Sequence, residues 1–340
     1  NKKSAPASQR ALYILQKFEY SIERQFVAVH MAATLHRQEE DTKMAIFKGA
    51  GVAIITPMKE NLEVNYDKLD EMIQYQIDNG TDCIVITGTT GESSTLTMEE
   101  HVDVIRAAVE MTKHRIPVVA GTGSNCTRTA IELTNDAYEA GCDGALVVTP
   151  YYNKATQAGL ISHYGQIAAS TKLPIIMYNV PGRTGCNILP QTAATLVKEY
   201  DNIVGLKEAT GNVSQAVTTM DLCDGRIDMY SGEDGLVVPL MSIGALGVIS
   251  VWSNVAPKDV HDMCMYALDG DFKKAAQIQL KGRALVDALF SEVNPIPVKR
   301  ALNAMGFEVG SLRAPLTDMS EEHAAKLIQV MKDYGLKVVE

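Results

Sequence analysis

The 340-residue sequence has no excess of positive charge: 31 Lys and Arg stand against 41 Asp and Glu, a formal net charge of −10. A chain of that sign has no long-range attraction for nucleic acid or anionic lipid, although a local cationic pocket for a small anion stays open to it. Its six cysteines (Cys83, Cys126, Cys142, Cys186, Cys223 and Cys264) are scattered, with no CxxC pair and no spacing that frames disulfides or a zinc site. A reducing compartment fits best, so the expected location is the cytoplasm. The seven histidines form neither HxH nor HExxH, which leaves metal chemistry little support, and no cofactor is expected. No apolar run approaches the ~20 residues needed to cross a bilayer. Asn125-Cys126-Thr127 and Asn212-Val213-Ser214 match the glycosylation triplet, but without a secretory signal they read as chance. Small molecules remain as the expected partners.

What is present is an ordinary globular composition, 46% hydrophobic and 21% charged, enough for a sizeable core. Residues 1–43 differ from the rest, with seven Lys/Arg against five Asp/Glu and an amphipathic stretch from Ala11 to Leu35. They lack the apolar region and cleavage site of a signal peptide, and their acidic residues disfavour a transit peptide. We expect an N-terminal extension, an added leader rather than a targeting arm, ahead of a start at Met44.

From Met44 onward, short β-branched runs alternate with longer helical patterns, the mark of a parallel α/β fold. Eight runs can be counted: Gly51 to Thr56, Cys83 to Thr87, Pro117 to Gly121, Ala145 to Thr149, Ile175 to Tyr178, Ile203 to Lys207, Ile227 to Ser231 and Val248 to Val251. Tyr66 to Asn79, Glu99 to Lys113, Arg128 to Ala140 and Gln191 to Tyr200 carry apolar residues at helical spacing. Near-continuous apolar strands must be covered on both faces, as in a doubly wound sheet or a closed barrel. The first run leads into Thr56-Pro57-Met58-Lys59-Glu60 instead of GxGxxG, which speaks against a dinucleotide fold, and eight units favour closure. The expectation is a (β/α)8 TIM barrel over 44–257. A C-terminal helical appendage over 258–340 follows, with helices at Phe272 to Leu289, Pro297 to Met305 and Glu321 to Tyr334.

A barrel of this kind carries its chemistry at the C-terminal ends of its strands. Lys207 ends the sixth run behind apolar Ile203-Val204-Gly205-Leu206, so desolvation should lower its pKa and free its amine to attack a ketone. The plain alternative is an ion pair with Glu208. Tyr178 and Tyr152 offer phenols for proton transfer and Thr89 a hydroxyl to link them. Buried tyrosines more often make one structural hydrogen bond, and Thr89-Thr90 could merely cap a helix. Arg183 has the planar fork that suits a carboxylate, unless it forms a surface ion pair. The glycines of Gly88 to Gly91 let backbone NH groups approach a second carboxylate, weak evidence by itself.

Gly88-Thr89-Thr90-Gly91-Glu92, Tyr151-Tyr152-Asn153, Tyr178-Asn179-Val180-Pro181-Gly182-Arg183-Thr184-Gly185 and Gly205-Leu206-Lys207-Glu208-Ala209-Thr210-Gly211 together resemble the dihydrodipicolinate synthase family in order and spacing. Gly247 to Val251 and Asn294-Pro295-Ile296-Pro297-Val298-Lys299 extend the resemblance from Met44 to the C-terminus. It implies a lyase of lysine and diaminopimelate biosynthesis that joins pyruvate to aspartate 4-semialdehyde through a Schiff base, giving 4-hydroxy-tetrahydrodipicolinate, and a homotetramer built as a dimer of dimers. By the same resemblance Lys207 is the nucleophile, and Thr89, Tyr178 and a neighbouring subunit's copy of Tyr152 form a proton relay. Thr90, Gly232 and Ile249 hold pyruvate, and Arg183 holds the semialdehyde carboxylate. An allosteric lysine site would include Tyr151, His101 and Asn125, but Met98 and Thr129 stand where lysine-sensitive relatives often place a histidine and a glutamate. Weak or absent lysine inhibition is expected. N-acetylneuraminate lyase and keto-deoxy-sugar aldolases, which share the lysine, are the near alternatives; a non-catalytic binding barrel is the distant one.

Overall fold

The structure is a computed structural model that describes residues 45–340; the amphipathic stretch and the expected N-terminal extension lie outside the described residues. Eight short strands, β1 (Gly49–Ala53), β2 (Cys83–Ile86), β3 (Val118–Gly121), β4 (Gly144–Val148), β5 (Ile175–Asn179), β6 (Ile203–Glu208), β7 (Asp228–Ser231) and β8 (Gly247–Ser250), pair in chain order. The ring is closed and parallel, with β1 hydrogen-bonded to both β2 and β8. This is the (β/α)8 barrel expected, and it excludes the doubly wound sheet.

Alternation along the strands divides the core in two. Cys83, Val85, Val119, Leu146, Ile176, Tyr178, Tyr230 and Ile249 fill the barrel interior, whereas Val52, Ile84, Ile86, Val118, Ile175, Leu206 and Val248 pack under the surrounding helices. Phe47, just before β1, stacks on Tyr230 at 4.4 Å between ring centroids and accepts that phenol's proton on its carbonyl at 2.8 Å. This aromatic pair packs the N-terminal end of the barrel interior.

The helices start where the sequence supplies caps. Asn65, Thr97, Thr156 and Asn212 accept from the first-turn amides of helices Tyr66–Asp78, Met98–Thr112, Gln157–Ser170 and Val213–Cys223, and Thr97 forms a full capping box with Glu100. After β8 the helix Pro257–Leu268 packs on β1. Helices Phe272–Leu289, Ile296–Ala304 and Glu321–Tyr334 then form the C-terminal appendage.

The first strand differs from expectation: it starts at Gly49 and ends at Ala53, not at Gly51 and Thr56. Ile54 and Ile55 remain fully buried, but the Ile55 amide leaves the ladder for the side chain of Asn254 at 3.2 Å, so apolarity persists beyond the strand. The early start is invisible to propensity because glycine is a poor strand former. Gly49 is required there by space. A Cβ on Gly49, whose φ is +109°, meets the Asp82 carboxylate at 2.2 Å, and one on its β8 partner Gly247 meets the Gly49 carbonyl at 1.9 Å. Backbone cannot give way in a closed ring, so Gly247→Ala should destabilise the fold by at least about 2 kcal/mol in urea unfolding. A change within ~0.5 kcal/mol, the usual span of neutral substitutions, means the seam is looser than drawn.

Candidate active site

The strand register brings Lys207 beside Tyr178 of β5 and Tyr230 of β7. The Lys207 amine lies 4.3 Å from the centroid of the Tyr178 ring, and the residue is only 6% exposed. Burial lowers its pKa to about 7; the nearby Asp234 carboxylate opposes the shift and the Arg183 cation adds to it. An ion pair with Glu208 does not form. As the next residue on the strand Glu208 faces away, and its carboxylate accepts the Thr210 amide at 2.7 Å.

Around the amine opens a cavity of about 380 Å³, and Thr89, Thr90, Tyr178, Arg183 and Gly232 line it with Lys207. The loop from β2 enters it through Thr87, a β-branched residue held at φ 51°, a costly conformation kept by hydroxyl bonds to the Ile86 and Gly121 carbonyls at 2.8 and 3.2 Å. Thr89 does not cap a helix: the cap position of the turn Ser93–Thr95 belongs to Glu92, and the Thr89 hydroxyl bonds Tyr178 instead. Burial raises the Tyr178 pKa, and the Arg183 cation and the Thr89 bond both work against that rise. Arg183 projects from the single turn Pro181–Thr184 and has no carboxylate partner among the described residues, leaving its fork free for an anion.

Other expected positions lie elsewhere. Ile249 packs in the barrel interior, and it is Val251, two residues further on, that lines the cavity. Tyr152 is outside the cavity, 90% exposed and at φ 72°, and Tyr151 is also exposed. Asn125 donates to the Tyr151 carbonyl at 3.2 Å, while His101 is buried against the Gly121 carbonyl at 2.8 Å, its pKa lowered by burial.

The sequence reading assigned no role to four contributors. Asp234 is buried beside Lys207; it accepts the Val251 and Trp252 amides at 3.0 and 2.9 Å, and burial raises its pKa. Its place three residues past Ser231, the last of β7, was a usable signal. Asn294 lines the cavity and donates to the Thr90 hydroxyl oxygen at 2.9 Å, which leaves the Thr90 proton free to point elsewhere. Val286 and Phe290, in and just past helix Phe272–Leu289, form part of the rim. No local pattern marks Val286 or Phe290, and Asn294 stands in a family motif without an assigned role.

Comparison with known proteins bears on this arrangement. The model of the Dihydrodipicolinate synthetase family matches residues 46–334. A 4-hydroxy-tetrahydrodipicolinate synthase from Lachnoclostridium phytofermentans is 61% identical over 86% of this chain and 100% of its own. Among solved structures, a dihydrodipicolinate synthase from Aquifex aeolicus superposes with a TM-score of 0.85 at 46% identity, covering 86% of this chain and 100% of that one. A chloride-inhibited dihydrodipicolinate synthase from Acinetobacter baumannii, complexed with pyruvate, gives 0.83 at 46% identity over 85% and 99%.

The buried amine makes a pH prediction. Only the neutral amine attacks a carbonyl, so the rate of borohydride-trapped modification of Lys207 by a small keto acid should rise with pH and level off above about 7. Mass spectrometry of the trapped peptide reads it. A midpoint near the ordinary lysine value of about 10 contradicts a desolvated Lys207.

Proposed function

The chain belongs to the dihydrodipicolinate synthetase family, and from that premise we propose that it is a lyase joining pyruvate to L-aspartate 4-semialdehyde to give 4-hydroxy-tetrahydrodipicolinate, in the diaminopimelate route to lysine. The observation that carries the reading is the unpaired, buried Lys207 amine facing Tyr178 in a cavity that also holds the free Arg183. The neutral amine adds to the pyruvate ketone and loses water to form an imine, the pyruvate carboxylate lying against Thr90 and the backbone around Gly232. Protonated, that imine draws electrons from the neighbouring methyl group, which gives up a proton and becomes the nucleophilic carbon of an enamine. The enamine attacks the aldehyde of the second substrate, whose carboxylate sits on Arg183, and the new alkoxide takes a proton from the relay of Tyr178 and Thr89. The substrate amine then displaces Lys207 from the imine carbon, closing the ring and releasing the lysine. No cofactor enters these steps.

The relay's third member is Tyr152, contributed by a second copy of the chain. An exposed tyrosine held at φ 72° beside an exposed Tyr151, at the end of β4, supports a contact between subunits. We therefore read the assembly as a homotetramer, a dimer of dimers, working in the cytoplasm. Among the described residues no helix is long and apolar enough to cross a membrane.

Lys207→Ala should abolish turnover, a loss of at least ~10³-fold, and borohydride with pyruvate should label Lys207 in the wild type. An adduct on another lysine refutes the assignment. A coupled assay offering the semialdehyde beside N-acetylneuraminate and a keto-deoxy sugar acid separates the related aldolases: only the first should turn over.

Two positions that the family resemblance assigns to a lysine site bear on regulation. Met98 is exposed and apolar at the start of helix Met98–Thr112, and Thr129 gives helix Thr127–Glu139 no carboxylate for a ligand's ammonium group. Lysine should therefore inhibit weakly or not at all; half-maximal inhibition in the micromolar range, worth roughly 8 kcal/mol of binding, disproves this reading.

A further inference from the structure

The turn that carries Thr89 and Thr90 is gripped from a segment about two hundred residues away. Glu92, two residues past Thr90, is held at φ 55° with a side chain that is 0% exposed, against 1% for Lys299. One Glu92 oxygen takes a proton of Lys299 at 2.8 Å and the other the backbone amide of Arg313 at 3.0 Å, while Lys299 also donates to the Ser311 carbonyl at 2.7 Å. On one side of Glu92, Asn294 donates to the Thr90 hydroxyl at 2.9 Å. On the other, the Arg313 guanidinium bonds the Thr95 carbonyl at 2.8 Å and spans both oxygens of Glu100 at 2.7 and 2.6 Å, holding that carboxyl at about 2. Residues 294–313 thus hold residues 90–100 at four points.

Stability alone is a poor account of the central pair. Removing two charges from water costs about what their attraction returns, and apolar replacements of similar volume are often neutral or better. Direction is what an apolar pair cannot supply: two oxygens and two protons, each assigned one partner, fix where Glu92 sits and hence where the turn before it points. Neither Glu92 nor Lys299 lines the cavity, so neither is a candidate to touch substrate. We propose that the buried Glu92–Lys299 pair, locked by Arg313, is a positioning device that aims the Thr89–Thr90 turn at the keto acid, so that the C-terminal helical region sets affinity for the first substrate. This rests on the reading of the cavity as the pyruvate site.

The test compares the full chain with the double variant Glu92→Met/Lys299→Met and the isosteric Glu92→Gln. For each, thermal unfolding, kcat and KM for both substrates, and the pyruvate concentration that half-saturates borohydride trapping are measured. The double variant should unfold near the wild-type temperature, yet its KM and half-saturation for pyruvate should rise ~10-fold or more, and kcat should fall with them because Thr89 sits on the same turn. Glu92→Gln should shift the same way, and it decides the matter if the double variant does not fold. An unchanged pyruvate KM in a folded variant, or a fall in kcat without a KM change, overturns the proposal. Trapping needs no semialdehyde: a wild type that traps pyruvate but condenses nothing defeats the synthase reading and leaves the positioning role to be decided by half-saturation. A wild type that traps no pyruvate removes both.

Discussion

Closure of the strand ring between β1 and β8 is the constraint on which the molecule depends. The carbonyl of Gly49 sits where any side chain on Gly247 would have to go, so the last strand can join the first only because neither residue has a Cβ. Once the ring is closed, all eight strand ends with a common direction open on one rim. Thr89 after β2, Tyr178 on β5 and Lys207 on β6 then meet without any loop having to carry them across the molecule. The stacked Phe47 and Tyr230 fill the interior at the other end.

Two lysines among the described residues are almost wholly buried, and burial lowers the pKa of both, but they differ in what surrounds the amine. Lys299 has a carboxylate at 2.8 Å and a carbonyl at 2.7 Å; the charge is matched and the residue is tied down. Lys207 has no such partner: burial, with the Arg183 cation adding to it and the Asp234 carboxylate opposing it, brings its pKa to about 7 beside the Tyr178 ring. Burial is common to both. The partner set ties one amine down and leaves the other without a hydrogen-bonded carboxylate.

Strand number, order and closure were legible in the sequence because parallel strands buried on both faces leave near-continuous apolar runs that helices must separate. The cavity residues on β2, β5 and β6 were legible for the same reason, since a reactive side chain at the end of such a run has one place to point. Asn294, Phe290 and Lys299 were not. Their contacts to the cavity and to the Thr89–Thr90 turn span some two hundred residues, and helical periodicity says which face is buried without saying against what. Ile249 shows the limit from the other side: the strand was found, but a shift of two residues separates the interior from the cavity wall.

Arg183 couples two parts of the site that the sequence reading treated separately. Its cation lowers the pKa of Lys207 and of Tyr178 together, which favours a neutral amine and eases loss of the phenol proton at once. A carboxylate seated on Arg183 cancels that field and pushes protons back onto both groups. The amine is therefore most available as the neutral nucleophile while Arg183 is empty, and the phenol holds its proton more tightly once Arg183 is occupied. Imine formation suits the first state, so the electrostatics of one residue favour attack by the Lys207 amine before a carboxylate occupies Arg183.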